Sequence, residues 1–289
     1  MDRSVCPICG GNEFESFMET KDFMITKESF SLVSCKSCNF MFTNPIPDKN
    51  EISRYYKSEE YVSHSSSKKG LINAIYNVVR KFTLKQKVGW IKKYAQTGSL
   101  LDVGCGTGHF LKAAQDSGYK ALGLEPDEEA RGFARKENEV NVQPIENLYH
   151  LDESSYDVIT MWHVLEHVYE LKEDLAQIEK LLKPNGTLFI AVPNCGSHDA
   201  KVYKEYWAAY DVPRHLYHFR ENDIKNLFQK FGMTLVEIIP MKFDAYYVSM
   251  LSEKYKNGNL LKALLNGLKS NLKAKKLGYS SQVYVLKKK

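Results

Sequence analysis

The sequence predicts an α/β fold in which a mainly parallel sheet follows a small cysteine-containing module. Strand-like apolar runs alternate with helix-like segments over residues 100–192, which is the pattern of a parallel sheet covered by helices on both faces. A glycine-rich turn joins the first of these strands to the first helix. Two Cys-x-x-Cys pairs lie in the N-terminal 40 residues, outside the alternating region.

Each predicted element depends on a local signal. Short apolar runs such as residues 156–162 (YDVITMW) indicate strands, and apolar positions at helical spacing indicate helices. Asp127 is a suitable N-cap for the helix after it, and residues 183–186 (KPNG) are a stop signal for the helix before them. The predicted strands are 100–103, 121–124, 140–142, 156–162, 187–192, 235–239 and 282–286, and the predicted helices are 71–95, from 110 onwards, 128–137, 171–182, 222–231 and 243–277.

Length and charge limit the class of protein. The 289 residues give room for one large α/β domain and a small module. No stretch of 18 apolar residues occurs and the N-terminus lacks an apolar secretion signal, so we expect a cytoplasmic protein with no transmembrane segment. The net charge is +6 over residues 71–99, −10 over 100–200 and +10 over 201–289. The basic flanks suggest an anionic small molecule, nucleic acid or acidic membrane face as partner, and solvated surface lysines explain them equally well.

The cysteine pairs Cys6/Cys9 and Cys35/Cys38 have the spacing of a zinc site. A Cys-x-x-Cys turn presents two thiolates, and two such turns supply the four tetrahedral ligands that Zn²⁺ prefers. Two disulfides are the alternative, but thiols stay reduced in the cytosol. Because all four ligands come from the chain, we expect a structural zinc ribbon over residues 1–48.

Residues 100–110 (LLDVGCGTGHF) place three glycines between a strand and a helix, at Gly104, Gly106 and Gly108. Glycine permits both a tight turn and the close approach of a ligand, so this loop predicts a nucleotide-like ligand at the carboxyl end of the strand. A dinucleotide fingerprint needs its third glycine at position 109, where this chain has His109. A glycine turn without a ligand is the remaining alternative.

Glu125 lies at the end of the second predicted strand, 21 residues after Gly104. A carboxylate in this position can accept hydrogen bonds from both hydroxyls of a bound ribose. The alternative is an acid that merely caps the following helix.

Four sequence features resemble one known family. The Asp-Val followed by G-x-G-x-G resembles motif I of the class I S-adenosylmethionine (SAM) methyltransferases. Residues 163–167 (HVLEH) resemble the signature of a large bacterial group of these enzymes, which is similar to the ubiquinone-pathway O-methyltransferases with their E-x-x-E-H. A zinc ribbon ending in F-x-F-x-N-P-x-P and the segment 207–219 strengthen the resemblance, which covers nearly the whole chain.

This resemblance implies a fold, a cofactor and a substrate class. The fold is a Rossmann-like, seven-stranded sheet with its last strand antiparallel, and the cofactor is SAM. Many members of the group modify sugars and cell-surface polysaccharides. Asp102 matches the motif I acid that orients the loop and, through water, the methionine amino group, and Glu125 matches the ribose acid. The full predicted SAM set is Asp102, Gly104, Cys105, Gly106, Gly108, Glu125, Pro126, Ile145, Glu146 and Trp162, with the adenine near Ile145 and Glu146.

Histidines follow the fourth predicted strand and recur in residues 194–220. An oxygen nucleophile must lose its proton, and a base of near-neutral pKa assists. We therefore take His163 and His215 as candidate bases and His167 as a further catalytic candidate; packing beneath the cofactor or anchoring of a loop is the alternative. On a helix, His163, Glu166 and His167 would share one face and, with a loop histidine, could bind a divalent metal as the E-x-x-E-H relatives are thought to.

Two insertions, residues 194–220 and 243–277, are predicted to build the acceptor pocket of a methyltransferase domain over residues 97–289. Residues 49–96 would form a linker and a basic helical cap. Four side chains of the first insertion suit stacking on a sugar or aromatic ring, with an arginine available for phosphate, and loop packing is the alternative for each. They are Trp207, Tyr210, Arg214 and Tyr217.

The sequence therefore predicts an enzyme that transfers a methyl group from SAM to a small-molecule or sugar-containing acceptor. We expect the methylated atom to be a hydroxyl oxygen in preference to an amine nitrogen or a carbon. An RNA or tRNA methyltransferase and a SAM-binding module without turnover are the alternatives. The acidic middle region disfavours nucleic acid. Weak contact with a membrane surface through the leucines and lysines of residues 260–277 is a further expectation.

Overall fold

The computed structural model describes residues 1–56 and 71–288, and residues 57–70 of the linker and cap predicted over residues 49–96 lie outside the described residues. In chain order the strands are β1 (Phe14–Lys21), β2 (Ser29–Cys35), β3 (Met41–Thr43), β4 (Gly98–Val103), β5 (Tyr119–Glu125), β6 (Val142–Pro144), β7 (Tyr156–Trp162), β8 (Leu182–Pro193), β9 (Tyr217–His218), β10 (Met233–Pro240) and β11 (Ser281–Lys288). The helices are α1 (Leu71–Lys92), α2 (His109–Asp116), α3 (Glu128–Glu137), α4 (Leu171–Leu181), α5 (His198–Tyr203), α6 (Glu221–Gln229), α7 (Asp244–Tyr255) and α8 (Leu260–Leu277). Short 3₁₀ turns cover Ile52–Tyr55, Ile145–His150, Leu165–His167, Lys204–Tyr206 and Ala208–Tyr210.

The main sheet has seven strands in the order β10-β11-β8-β7-β4-β5-β6. Strands β8, β7, β4, β5 and β6 are parallel, and β11 runs antiparallel between β8 and β10. This confirms the predicted seven-stranded sheet with an antiparallel last strand. The strand order reverses at β4, since β5 lies on one side of it and β7 on the other. Ligands of open α/β sheets bind at such a reversal, and the glycine loop follows β4 there.

The predicted helix stop at residues 183–186 is confirmed, since α4 ends at Leu181. Two other boundaries differ from the structure. The strand predicted from residue 187 begins at Leu182, and its register against β7 shifts between Leu182 and Thr187, where Asn185 has φ +64°. The single helical stretch predicted over residues 243–277 is wrong, because Asn257 (φ +56°) and the glycine after it separate α7 from α8. Within the described part of the chain, none of the helices has the length and apolar character needed to cross a bilayer.

The N-terminal strands form a second sheet in the order β1-β2-β3-β9. Its last strand comes from the segment 194–220, so the cysteine module completes its sheet with residues far along the chain. Phe40 and Phe42 are fully buried, and the Phe40 ring lies 6.1 Å from Tyr217 and 5.4 Å from Phe219 between centroids. These rings belong to the same hydrophobic core as one face of the main sheet.

Arg214 joins the N-terminal module to the segment 194–220. Its Nη2 lies 2.9 Å from Asp22 Oδ1 and 2.6 Å from Asp211 Oδ1, and its Nη1 donates to the Tyr55 carbonyl at 2.7 Å. Asp22 and Arg214 are both buried. Burial alone would raise the pKa of Asp22, but the hydrogen bond and charge of Arg214 together with the backbone hydrogen bonds from Thr26 and Ile25 outweigh it and lower the pKa. The Asp22 carboxylate is therefore ionised, and its ion pair with Arg214 joins the N-terminal module to the segment 194–220.

We expect Asp22→Ala to lower the free energy of unfolding by about 3–5 kcal/mol, since it leaves the buried Arg214 cation without part of its compensation. Urea unfolding followed by tryptophan fluorescence measures this loss. Because the pKa of Asp22 is lowered in the folded state, its contribution is present above the ordinary aspartate pKa and is lost as the pH falls below it.

The control is Glu13→Ala, which breaks the exposed ion pair of Glu13 with Lys36 and should cost less than about 1 kcal/mol. Equal small effects of both substitutions would show that the buried pair does not tie the module to the domain.

Candidate functional site

The glycine loop after β4 has three residues with positive φ, namely +71° at Gly104, +55° at Gly106 and +78° at Gly108. A Cβ on Gly104 would come within 2.5 Å of Val164, and one on Gly108 within 2.8 Å of Val140. A Cβ on Gly106 would meet nothing within 4 Å. The outer glycines therefore allow close packing, whereas Gly106 faces open space at the carboxyl end of the sheet.

Glu125 ends β5 and turns its carboxylate toward this loop. The Gly106 amide donates to Oε2 at 2.8 Å, and the Asp127 amide donates to Oε1 at 3.0 Å. Asp127 caps α3, as predicted, by accepting from the Ala130 amide. Glu125 is buried, and burial raises its pKa. The carboxylate thus borders the open space above Gly106.

The other side chains predicted around the cofactor lie along the same edge of the sheet. Pro144 pairs with Glu125 in register, so Ile145 and Glu146 start the turn beside it, with Ile145 half-buried and Glu146 exposed. Cys105 is half-buried, and Pro126 is exposed. Trp162 ends β7 and packs edge-on against Phe110 at 5.2 Å. Its Nε1 is buried and has no hydrogen-bond partner among the described residues.

Asp102 is buried at the end of β4 just before the loop, and the half-buried Lys87 of α1 lies near enough to interact with it electrostatically. Asp102 accepts from Thr160 Oγ1 at 2.6 Å, and burial raises its pKa to about 7. Lys87 extends from α1, its Nζ lies 4.3 Å from the ring centroid of Trp162, and burial lowers its pKa. The two groups attract each other electrostatically. Sequence reasoning missed Lys87, and the available signal was that α1 carries basic but no acidic residues.

His163 follows β7 in a left-handed conformation, with φ +58°. Its Nδ1 lies 3.4 Å from Glu166 Oε1, and its Nε2 lies 3.4 Å from Asp244 Oδ2 at the start of α7. Burial alone would lower the pKa of His163, but Asp244 and Glu166 raise it to about 9. A third of the His163 side chain is exposed, whereas the His215 side chain is one-tenth exposed and His218 is buried. Asp244 was missed because nothing in the sequence indicates that α7 returns to this edge.

Glu166 is fully buried, and neither of its carboxylate oxygens has a hydrogen bond from any described residue. Two histidines lie near the same oxygen, with His163 Nδ1 at 3.4 Å and His215 Nε2 at 4.0 Å from Oε1. Ligand atoms of Glu166, His167 and His215 all lie within 4.8 Å of one another. The predicted helical face of residues 163, 166 and 167 does not form, because only a 3₁₀ turn is present and His163 precedes it with positive φ. The possible cation ligands are therefore Glu166, His167 and His215.

The remaining histidines are held by the protein itself. His167 Nδ1 lies 3.0 Å from both the Arg214 carbonyl and Tyr56 Oη, and burial lowers its pKa to about 4. His215 Nδ1 lies 2.9 Å from the Ala209 carbonyl. His218 contacts Thr43 Oγ1 at 3.1 Å, and burial lowers its pKa to about 3. His167 and His218 are therefore neutral at pH 7.

The prediction that four side chains of residues 194–220 stack on an acceptor is wrong. Trp207, Tyr210, Arg214 and Tyr217 are all almost fully buried. Trp207 Nε1 donates to Asp199 Oδ2 at 2.8 Å, and Arg214 is engaged by Asp22 and Asp211. The physical reason is that this segment lies between the N-terminal sheet and the main domain, so its large side chains fill that junction.

The four predicted metal-ligand cysteines converge. Cys6 Sγ lies 3.7 Å from Cys38 Sγ, and Cys9 Sγ lies 3.5 Å from Cys35 Sγ, with all four sulfurs within 4.8 Å of one another. These separations suit sulfurs about 2.3 Å from a shared tetrahedral Zn²⁺. They are far too long for disulfide bonds. The Gly11 amide also points at Cys9 Sγ at 3.4 Å, as expected of a zinc knuckle.

Comparisons with known proteins agree with this geometry. A family model described as a methyltransferase domain matches residues 80–238, which is more than half of the chain. A ubiquinone biosynthesis O-methyltransferase of Rickettsia akari is 24% identical over 152 residues, 51% of this chain and 61% of that protein. One of Acinetobacter baylyi is 29% identical over 119 residues, 37% of this chain and 50% of that protein. The matches thus span one half to three fifths of these relatives.

Solved structures share the fold at low sequence identity. The magnesium protoporphyrin IX methyltransferase of Synechocystis, solved with bound SAH, has a TM-score of 0.55 and 17% identity, covering 84% of this chain and all of that one. Phosphoethanolamine N-methyltransferase 2 of Haemonchus contortus, in complex with SAM, has a TM-score of 0.55 and 16% identity, covering 95% of this chain and 68% of that one. Together with the family match, the glycine loop and the strand order place this chain in the methyltransferase-domain family, with the class I SAM-dependent methyltransferase fold.

Proposed function

We propose that the protein transfers a methyl group from SAM to a hydroxyl oxygen of a small-molecule or sugar-containing acceptor, with His163 as the base. The observation that carries this proposal is the accessible His163 between two carboxylates, at the same sheet edge as the open space above Gly106. The names of the curated relatives, which are O-methyltransferases, support oxygen as the atom methylated.

The residues at this edge fit SAM. Gly106 leaves room for the cofactor against the backbone, and Glu125 offers a carboxylate to the ribose hydroxyls. The buried Trp162 Nε1 has no hydrogen-bond partner in residues 1–56 and 71–288, and a ligand could supply one. SAM supplies an electrophilic methyl group. Ile145 and Glu146 start the loop beside Glu125 and would border the adenine.

Asp102 and Lys87 suit the two charges of the methionine end of SAM. That end carries an ammonium and a carboxylate, and this chain presents a carboxylate and an ammonium in the same buried region. Each buried charge lowers the desolvation cost of its counterpart. We assign Lys87 to the carboxylate and Asp102 to the ammonium, directly or through water.

His163 would take the proton from the acceptor hydroxyl. Only the neutral imidazole accepts a proton, and Asp244 and Glu166 raise the pKa of His163 to about 9, so the group is mostly protonated at pH 7. The same carboxylates stabilise the imidazolium that forms, which makes His163 a strong base in the fraction that is neutral. His167 and His215 line the buried side of Glu166 and are positioning residues in this arrangement.

The cysteine cluster would hold a structural Zn²⁺. Its four sulfurs occupy every position of a tetrahedral site, so no place remains for a reacting group. The ion would fix the turns that hold β1, β2 and β3 together.

Gly106→Arg should weaken SAM binding at least about a hundredfold, because the new side chain occupies the open space beside Glu125. Isothermal titration calorimetry with SAM measures the affinity. Gly232→Arg is the matched control, since Gly232 also has positive φ (+67°) and open space around its Cβ, outside the site. Failure of the unaltered protein to bind SAM, or equal affinity in both variants, would refute the assigned cofactor site.

Methyl transfer should increase about tenfold per pH unit and level off near pH 9, as His163 loses its proton. The assay follows S-adenosylhomocysteine formation with catechol, a monosaccharide or tRNA as acceptor. His163→Gln should lower the rate about a hundredfold or more and remove this pH dependence.

Asp244→Asn removes one carboxylate from His163, so the plateau should begin at a lower pH. An unchanged plateau in this variant would assign the pH dependence to ionisation of the acceptor rather than to His163. Turnover with tRNA alone would favour the RNA alternative, and no turnover with any acceptor would favour a binding module.

Protein purified under reducing conditions should contain about one zinc per chain by elemental mass spectrometry. The double variant Cys35→Ser/Cys38→Ser should lose the metal, since two of its four ligands are gone. Cys105→Ser, which lies outside the cluster, should retain it. Zinc-free wild-type protein that stays folded would contradict the structural zinc.

A further inference from the structure

Helix α8 packs against the domain through small residues and leaves its large apolar side chains exposed. The residues it buries are small, at positions i, i+4, i+7 and i+11: Ala263, Gly267, Ser270 and Ala274. Gly267 lies against α7, where an added Cβ would come within 2.7 Å of the Tyr246 ring. Close packing of backbones thus attaches α8 to the domain.

The leucines of α8 point away from this packed face. Their exposed fractions run from 44% to 72%, whereas the main-sheet leucines Leu100, Leu101 and Leu188 are fully buried. At 100° per residue the exposed leucines lie on one side of the helix. They are Leu260, Leu261, Leu264, Leu265, Leu268 and Leu272.

The charges of α8 are all positive. The helix contains five lysines and no acidic residue. Near its carboxyl end, a depression of about 400 Å³ is lined by two leucines, three lysines and a histidine: Leu272, Leu277, Lys273, Lys275, Lys276 and His198. A depression with basic and apolar walls suits an anionic headgroup together with the start of its acyl chains.

We infer that α8 is a docking surface for an anionic lipid bilayer, lying in the plane of the interface with its leucines among the lipids. Helices that bind membrane surfaces combine an exposed apolar side with lysines in this way. A second copy of the chain is a poorer occupant, because pairing two α8 helices brings ten lysines together with no acidic residue between them. Charge complementarity therefore selects the anionic surface.

Exposed apolar residues continue from α8 toward the proposed active site. Asn271 donates to the Lys242 carbonyl, which places α8 beside the start of α7. There the half-exposed Phe243 ring packs edge-on against the half-exposed Phe82 of α1, at 5.9 Å between centroids. The next residue, Asp244, contacts His163. A docked bilayer would therefore lie near the edge at which an acceptor approaches His163.

Vesicle co-sedimentation of the full-length protein tests this inference. We expect binding to vesicles of phosphatidylcholine mixed with phosphatidylglycerol, little binding to phosphatidylcholine alone, and a loss of binding as salt is raised. Lys273→Gln/Lys275→Gln/Lys276→Gln should weaken binding on the order of a hundredfold. Leu264→Asp/Leu268→Asp should weaken it at least about tenfold, because two leucines no longer insert.

Matched controls separate this surface from general charge and apolar exposure. Lys120→Gln/Lys172→Gln/Lys180→Gln removes the same charge from three exposed lysines elsewhere, and Phe17→Asp/Val236→Asp replaces two half-exposed apolar residues elsewhere. Both controls should bind vesicles like the unaltered protein. Equal binding by the α8 variants, or equal binding to both vesicle types, would overturn the inference.

Light scattering measures the oligomeric state and so tests whether a second copy of the chain covers the leucines. A dimer that Leu264→Asp/Leu268→Asp dissociates, without vesicle binding by the unaltered protein, would assign the leucines to a second copy and overturn the membrane surface. The membrane inference does not rest on the proposed methyl transfer, because every measurement here is of binding. Vesicle binding by a protein that shows no methyl transfer would support the membrane surface and contradict the proposed function.

Discussion

The contact between the N-terminal module and the segment 194–220 determines the shape of the candidate site. Arg214 compensates the buried charges of Asp22 and Asp211, and beside this ion pair the backbone continues the connection. The Thr43 amide donates to the Leu216 carbonyl, and the Leu216 amide donates to the Glu166 carbonyl. Two hydrogen bonds thus link β3 to the residue at the centre of the histidine group. A module held by zinc would in this way fix the position of a carboxylate that it does not touch.

The charge of Glu166 explains the different behaviour of the surrounding histidines. Its carboxylate is buried and accepts no hydrogen bond from the described part of the chain, so a cation beside it is strongly favoured over a neutral group. His163 gains from this charge and from Asp244 together, and its pKa is raised to about 9. For His167, burial and the nearby His215 outweigh the same carboxylate, and its pKa is lowered to about 4. One buried charge therefore produces one protonated and one neutral histidine within a few residues of sequence.

Local signals predicted the fold well, whereas the acceptor side of the site depends on contacts between distant residues. The glycine spacing and the alternation of strands and helices are local, and the predicted sheet and the loop at the carboxyl end of β4 are present. Trp207 and Arg214 suited a binding loop by composition, but the N-terminal sheet covers them, which no local pattern reveals. Lys87 and Asp244 were missed for the same reason, since each comes from a helix that returns to the sheet edge from elsewhere in the chain.

The packing of α8 separates membrane contact from the chemistry of the site. If leucines attached α8 to the domain, a ligand that bound these leucines would shift α7, and with it Asp244 and His163. Here small residues form that attachment, and Gly267 permits backbone contact with α7. The leucines are free of the core, so lipid can contact them without moving α7.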